Sequence, residues 1–302
     1  MASRRHRDHR PAEPWSRRKM LTLLAAAGLG VLAVAAGLVL AVAYALAPPP
    51  LAADSHRGTA APPGPTTGGV AVAGRPADPR DVLAGRPMTP VGADAAHPGP
   101  VSARDPGPDI SLPAATGTGP AKVPTGFGHS PAGAMAQLAA IDTTAVQSGS
   151  LAGARQVIAG WALPGGPTPA SSSLVHALGA LFDSTGLPGG GSPRLTVVMT
   201  PLMGQIKGSV GGDFVVPCVD FELEITLAQT GRGAVADCQR MVWSGGRWMI
   251  GAGPEPAPAP SVWPDTDLAI AVGYRDLRQQ QAGQPPDSQQ LGQRPGGGSG
   301  RG

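Results

Sequence analysis

Residues 215–227, VVPCVDFELEITL, decide the fold. In an extended chain Val215, Val219, Phe221, Leu223, Ile225 and Leu227 share one face, while Asp220, Glu222 and Glu224 share the other. Alternation of period two with a polar row predicts an antiparallel strand, one side on a core and one side wet. Downstream, Thr230-Gly231-Arg232-Gly233 reads as a turn into residues 234–244, and Gly245-Gly246 as a second turn into residues 247–250. Upstream, residues 195–200 are a β-branched run, and the glycine-rich residues 208–212 link it to the central strand.

Before this meander the period changes. Ser130-Pro131 reads as a helix N-cap with proline at the first helical position, and Ala134, Met135, Leu138, Ile141 and Ala145 recur behind it at helical spacing. A second helix is expected over residues 151–163, where Val157, Ile158 and Trp161 are apolar and Gly165-Gly166-Pro167 is the breaker. A third opens after residues 171–173, carries Leu174, Leu178 and Leu181, and ends at Gly186. Helices first and strands after make an α+β domain over residues 124–278, the helices packed on one face of a curved antiparallel sheet. That length supports a single sizeable core. An additional C-terminal helix is expected after Trp263, with Asp265 and Asp267 at its positive end.

The flanks are of another kind. Residues 48–123 are Pro, Gly, Ala and Thr with almost no large apolar side chain, so burial cannot offset the entropy of ordering them. They read as a disordered linker, spanning on the order of 50 Å as a coil and on the order of 200 Å as polyproline II. Residues 279–302 read as a disordered tail for the same reason. Residues 20–47 carry no charge over 28 positions, enough for a transmembrane helix, which needs about 20. Two small-x-small triplets, Ala43-Tyr44-Ala45 and Ala45-Leu46-Ala47, mimic signal-peptide cut sites, but the apolar run far exceeds an h-region of about 7–15 residues. An uncleaved single-pass anchor in the cell membrane is therefore expected.

Charge is unevenly placed. Residues 1–19 hold 7 basic and 2 acidic groups, residues 48–123 hold 6 of each, residues 124–278 hold 8 and 11, and residues 279–302 hold 2 and 1. The basic excess thus sits just before the apolar run, which keeps residues 1–19 cytoplasmic and places the rest outside. It does not sit on the domain, so direct nucleic-acid binding is not expected.

Gly246-Arg247-Trp248-Met249-Ile250 resembles the closing strand of the nuclear-transport-factor-two-like cone fold, where a glycine turn precedes a tryptophan-bearing last strand. Residues 123–134 (VPTGFGHSPAGA) and 263–270 (WPDTDLAI) resemble uncharacterised actinobacterial single-pass membrane proteins associated with conjugative elements. The plan of anchor, linker and soluble domain is similar to inner-membrane scaffold subunits of type IV secretion and conjugation machines, which use the same cone fold. The resemblance implies a structural subunit of a transfer complex; it carries over no functional residue.

Chemistry is sparse. Gly128-His129-Ser130-Pro131-Ala132-Gly133 misses the spacing and the preceding strand of a nucleophile elbow, so Ser130 reads as a helix cap and His129 and His176 as non-catalytic. No metal-ligand spacing and no phosphate loop is present, and no cofactor is expected. Trp161, Phe182, Phe214, Phe221, Trp243 and Trp248 read as core, with a cone pocket as the alternative. Asp220, Glu222 and Glu224 form a candidate partner-binding face, or a solvated sheet face. Cys218 and Cys238 are a candidate disulfide, favoured by an oxidising compartment. A tight hairpin centred at Gly231-Arg232 would instead set Cys218 opposite residues 244–245. The expected role is an extracytoplasmic scaffold or assembly protein, not an enzyme, whose partners are other envelope or transfer-complex proteins or another copy of this chain. The alternative is a module binding a small molecule or lipid.

Overall fold

The computed structural model describes residues 77–280, so the expected cytoplasmic segment, the anchor at 20–47 and nearly all of the tail lie outside the described residues. Among the described residues no helix is long and apolar enough to cross a membrane. In chain order they form α1 (Pro79–Gly85), β1 (Ile110–Leu112), β2 (Gly117–Thr118), β3 (Pro124–Thr125), α2 (Pro131–Gln147), α3 (Leu151–Trp161) and α4 (Ser173–Thr185). β4 (Thr196–Ser209), β5 (Phe214–Thr226), β6 (Thr230–Cys238), β7 (Met241–Ser244), β8 (Arg247–Ile250), α5 (Asp267–Ala271) and β9 (Arg275–Gln279) follow.

Each main helix starts on a serine. The hydroxyls of Ser130, Ser150 and Ser172 accept the N–H groups of Gly133, Gly153 and Val175, satisfying donors that have no partner inside the helix. α4 ends at Gly186, whose φ of 65° suits glycine. The expected cap at Ser130 and stop at Gly186 are where the sequence places them, and α3 ends at Trp161, two residues before the expected 163. The short helix after Trp263 is α5, capped by the Thr266 hydroxyl rather than by Asp265 or Asp267.

Seven strands form one strongly curled sheet in the order β1-β9-β4-β5-β7-β8, with β6 also on β5, and β2 and β3 pair as a separate two-stranded sheet. Two register shifts in β4, at Pro201/Met203 and Ile206/Gly208, bend it against β5. The Gly245-Gly246 turn between β7 and β8 has φ of 57° and 79°, the left-handed pair that a two-residue hairpin requires.

The β5–β6 turn falls at residues 227–229, not at Gly231-Arg232 as the glycines suggest. Thr226 pairs with Thr230 and their hydroxyls meet at 2.8 Å; Gly231 and Gly233 lie within β6, opposite Ile225 and Leu223. The register moves accordingly, and Cys218 lies directly opposite Cys238, with Cα atoms 4.1 Å apart and a disulfide between them. The neighbouring pair is Pro217 and Gln239, where the Gln239 N–H donates to the Pro217 carbonyl and proline cannot return the bond. β6 and β7 are therefore one interrupted ladder along β5. The bridge closes a 20-residue separation on buried side chains. Replacing Cys218 and Cys238 by alanine should lower stability by about 2–4 kcal/mol, read as the denaturation midpoint of oxidised wild type against the double variant.

Residues 77–123, read from composition as linker, are instead built into the domain. Leu112 and Val123 are fully buried, and Ala84 and Ala96 nearly so. Backbone bonds from Ala257 to Ala84, from Trp263 to Ala95 and from Ser102 to Asp265 tie this strap to the C-terminal segment. A few well-placed anchors and borrowed hydrogen bonds offset the ordering cost that its average composition cannot.

The strap also explains the second departure. α2, α3 and α4 cover one face of the sheet, where Val219, Phe221, Leu223 and Ile225 meet Met135, Leu138, Trp161 and Phe182. The strap, Val262, Ala269 and Tyr274 cover much of the other face, over Phe214, Val216, Cys218 and Met203. The row that includes Asp220 is therefore not wet at its start.

Candidate functional site

The concave side of the curled sheet, where a ligand would sit, is largely filled by the protein's own side chains. Trp161, Phe182, Phe221 and Trp248 are at most 1 % exposed. What remains is a slot of about 60 Å³ between α4 and the sheet. Its floor is the buried Val146, Leu178, Leu181, Met199 and Leu223, and its rim the half-buried Ser173, Leu174, Ala177, Val235 and Asp237.

Asp237 is carried here by the alternation of β6. Gln239 Nε2 donates to Asp237 Oδ2 at 2.9 Å, yet burial pushes its carboxyl up to about 7. Two more carboxyls stand close enough to interact with it. Asp142, on α2 one turn before Val146, is 1 % exposed and its Oδ2 has no hydrogen-bond partner. Burial, then the charges of Asp237 and Glu255, raise it well above the usual carboxylate range. Glu255 accepts the Ser173 N–H at 3.1 Å and so caps the first turn of α4. Among the described residues no basic side chain forms an ion pair with any of the three, and no group of three or more His, Cys, Asp or Glu side chains could hold a metal ion. Sequence reading missed this cluster, because Asp142 interrupts an apolar helix face and Asp237 lies on a strand whose register the glycines disguised.

The anticipated acidic face is divided. Asp220 is fully buried beside Tyr274; the Val262 N–H lies near its carboxyl but outside hydrogen-bonding geometry, so both oxygens lack a partner. Burial raises it well above the usual range. Glu222 and Glu224 both face Arg232 on β6, Glu222 accepting from its Nε at 2.7 Å. The three do not make one exposed anionic row. Arg232 also lies over the Trp263 ring, 5.2 Å from its centre.

His129 stacks on Trp243 with ring centres 4.4 Å apart, and its Nε2 is 2.9 Å from Asp213 Oδ1. Trp248 Nε1 donates to the Gly128 carbonyl at 3.0 Å. Together these fasten the loop before α2 to the β4–β5 turn and the β7–β8 hairpin. Ser130 is occupied as the cap of α2, and His176 Nε2 meets the Ala170 carbonyl at 2.8 Å. None of them assembles a nucleophile and base. The chain matches no family model, no curated protein and no solved structure.

Proposed function

We propose that this protein is a membrane-anchored extracytoplasmic scaffold or assembly module that works through its surface. The observation that carries this reading is the filled concavity. Small-molecule sites usually occupy about 300–1,000 Å³, whereas the slot under the helices is about 60 Å³; the larger cavity of about 330 Å³ lies away from it, on the strap side, among Arg104, Asp265, Asp276 and Arg278. Its sheet is clamped on both faces and crosslinked, which suits a rigid docking body. In this reading residues 20–47 anchor the chain, residues 1–19 stay cytoplasmic, and the domain is a cone fold of the nuclear-transport-factor-two-like kind serving a conjugation or secretion complex. In the same reading the tether is residues 48–76, which would span on the order of 30 Å as a coil and on the order of 90 Å as polyproline II.

The test is crosslinking in intact cells, followed by affinity capture of full-length protein from solubilised membranes. Recovery of envelope or transfer-complex proteins, or of a second copy of this chain, supports the role. Capture of none of these, with the protein monomeric in native mass measurement, overturns it.

A further inference from the structure

We propose that the slot between α4 and β6 binds the ammonium end of a short unbranched aliphatic chain, met by Asp237 on the rim and by Asp142 behind it. Apolar side chains make most of the lining, so a ligand must be apolar over most of its length. Its polar side chains are Ser173 and Asp237, so the ligand's polar group belongs at one end.

The sign of that group follows from what the cluster lacks. Asp142, Asp237 and Glu255 meet no cation among the described residues, and Asp142 Oδ2 is buried without any partner. Asp142 and Val146 are four residues apart on α2, so the carboxyl and the slot floor share one helix face. A neutral alcohol brings one donor and no charge, so it supplies no counterion to three neighbouring carboxyls. An ammonium has three donors and a full positive charge. A divalent ion is disfavoured, because the carboxyls do not converge as a metal-ion site. The slot of about 60 Å³ is well below the about 150 Å³ of a cavity that encloses benzene, so it admits a single chain end rather than a ring. The same chemistry is carried by a free alkylamine and by a lysine side chain.

The experiment is a calorimetric titration of full-length protein in detergent with n-butylammonium, n-butanol, cyclohexylammonium and N-acetyl-lysine methylamide. Butylammonium is expected to bind with Kd of about 1 mM, and butanol and cyclohexylammonium about tenfold or more weaker. Asp237→Asn should weaken butylammonium by about tenfold or more. Ala177→Phe, which fills the rim without touching a carboxyl, should abolish binding and serves if the first variant does not fold. Equal binding of butanol and butylammonium, no binding of butylammonium, or unchanged binding in a folded variant overturns the proposal. Lysine amide binding as well as butylammonium supports the site and assigns its ligand to a protein side chain; weaker lysine amide binding supports it and assigns a free amine. The titration is independent of the scaffold role, so failed capture leaves its outcome standing.

Discussion

The melting temperature of the protein is expected to fall as pH is raised from about 5 to about 8, by on the order of 10 °C. Burial raises the carboxyls of Asp142, Asp220 and Asp237 above their unfolded value near 3.8, that of Asp237 to about 7. A group raised in the folded state contributes stability that is complete below the unfolded value and is lost as pH rises through the folded one. For Asp237 that window runs from about 4 to about 7, and for Asp142 and Asp220 it begins at the same lower limit. Ordinary surface carboxylates are already ionised above pH about 5, so they do not mask the trend. Lys207, lowered by burial to about 8, acts oppositely, but only between about 8 and 10.5.

Asp220→Asn isolates one contribution. The amide keeps the shape but cannot ionise, so it should raise stability at pH 8 by about 1–3 kcal/mol and leave stability at pH 4 little changed. Differential scanning calorimetry across pH reads both. A melting temperature that is flat or rising between pH 5 and 8, with Asp220→Asn neutral at pH 8, would sink the account.

That such groups are buried at all shows where sequence reading reaches its limit. Local signals are legible because their causes are local: Ser130 starts a helix through its own hydroxyl, Ser172 does so within the serine run that opens α4, Gly186 ends one, and Gly245-Gly246 can form only a narrow range of turns. The α+β order followed from the change of period between residues 130–186 and 195–250. Alternation sets Asp220 on an open face, for a partner or for solvent, because it reports the two faces of a strand and not what covers them. Its cover comes from Val262 and Tyr274, about forty to fifty positions away, and the same face is overlaid by the strap more than a hundred positions away.

β9 (RDLRQ) had no apolar period to announce it. It joins the sheet by pairing with β1 in parallel and β4 antiparallel, a placement set by long-range partners. The disulfide was open on geometry because it depends on hairpin register, and register shifts with a turn only a few residues from the glycines. The carboxyl cluster at the slot needs α2, α4, β6 and the segment after β8 to be placed together, so no motif spacing could have carried it.

Trp161→Ala should cost about 3–5 kcal/mol and release the strap from the domain. The indole is fully buried at the end of α3, and its Nε1 donates to the Pro120 carbonyl at 3.1 Å. Gly119 lies so close that an added Cβ would stand 2.6 Å from the ring, and Gly160 approaches Pro120 in the same way. Arg247 covers the ring from β8, its guanidinium carbon 5.2 Å from the centre. One side chain thus joins the segment around residue 120, α3 and the closing hairpin. Removing it leaves a large cavity and only the Val123 N–H on the Pro120 carbonyl, and should loosen the chain at Lys122, where φ is 64°. Limited trypsin digestion should then cut after Lys122 at least about tenfold faster than in wild type, since opening becomes more populated. Trp161→Phe keeps most of the volume and loses the hydrogen bond, so it should cost less and leave Lys122 better protected. Wild-type melting and wild-type cleavage rates in Trp161→Ala would mean that the strap is held elsewhere, by the Asp81–Arg240 ion pair and by Met88 against the disulfide sulfurs.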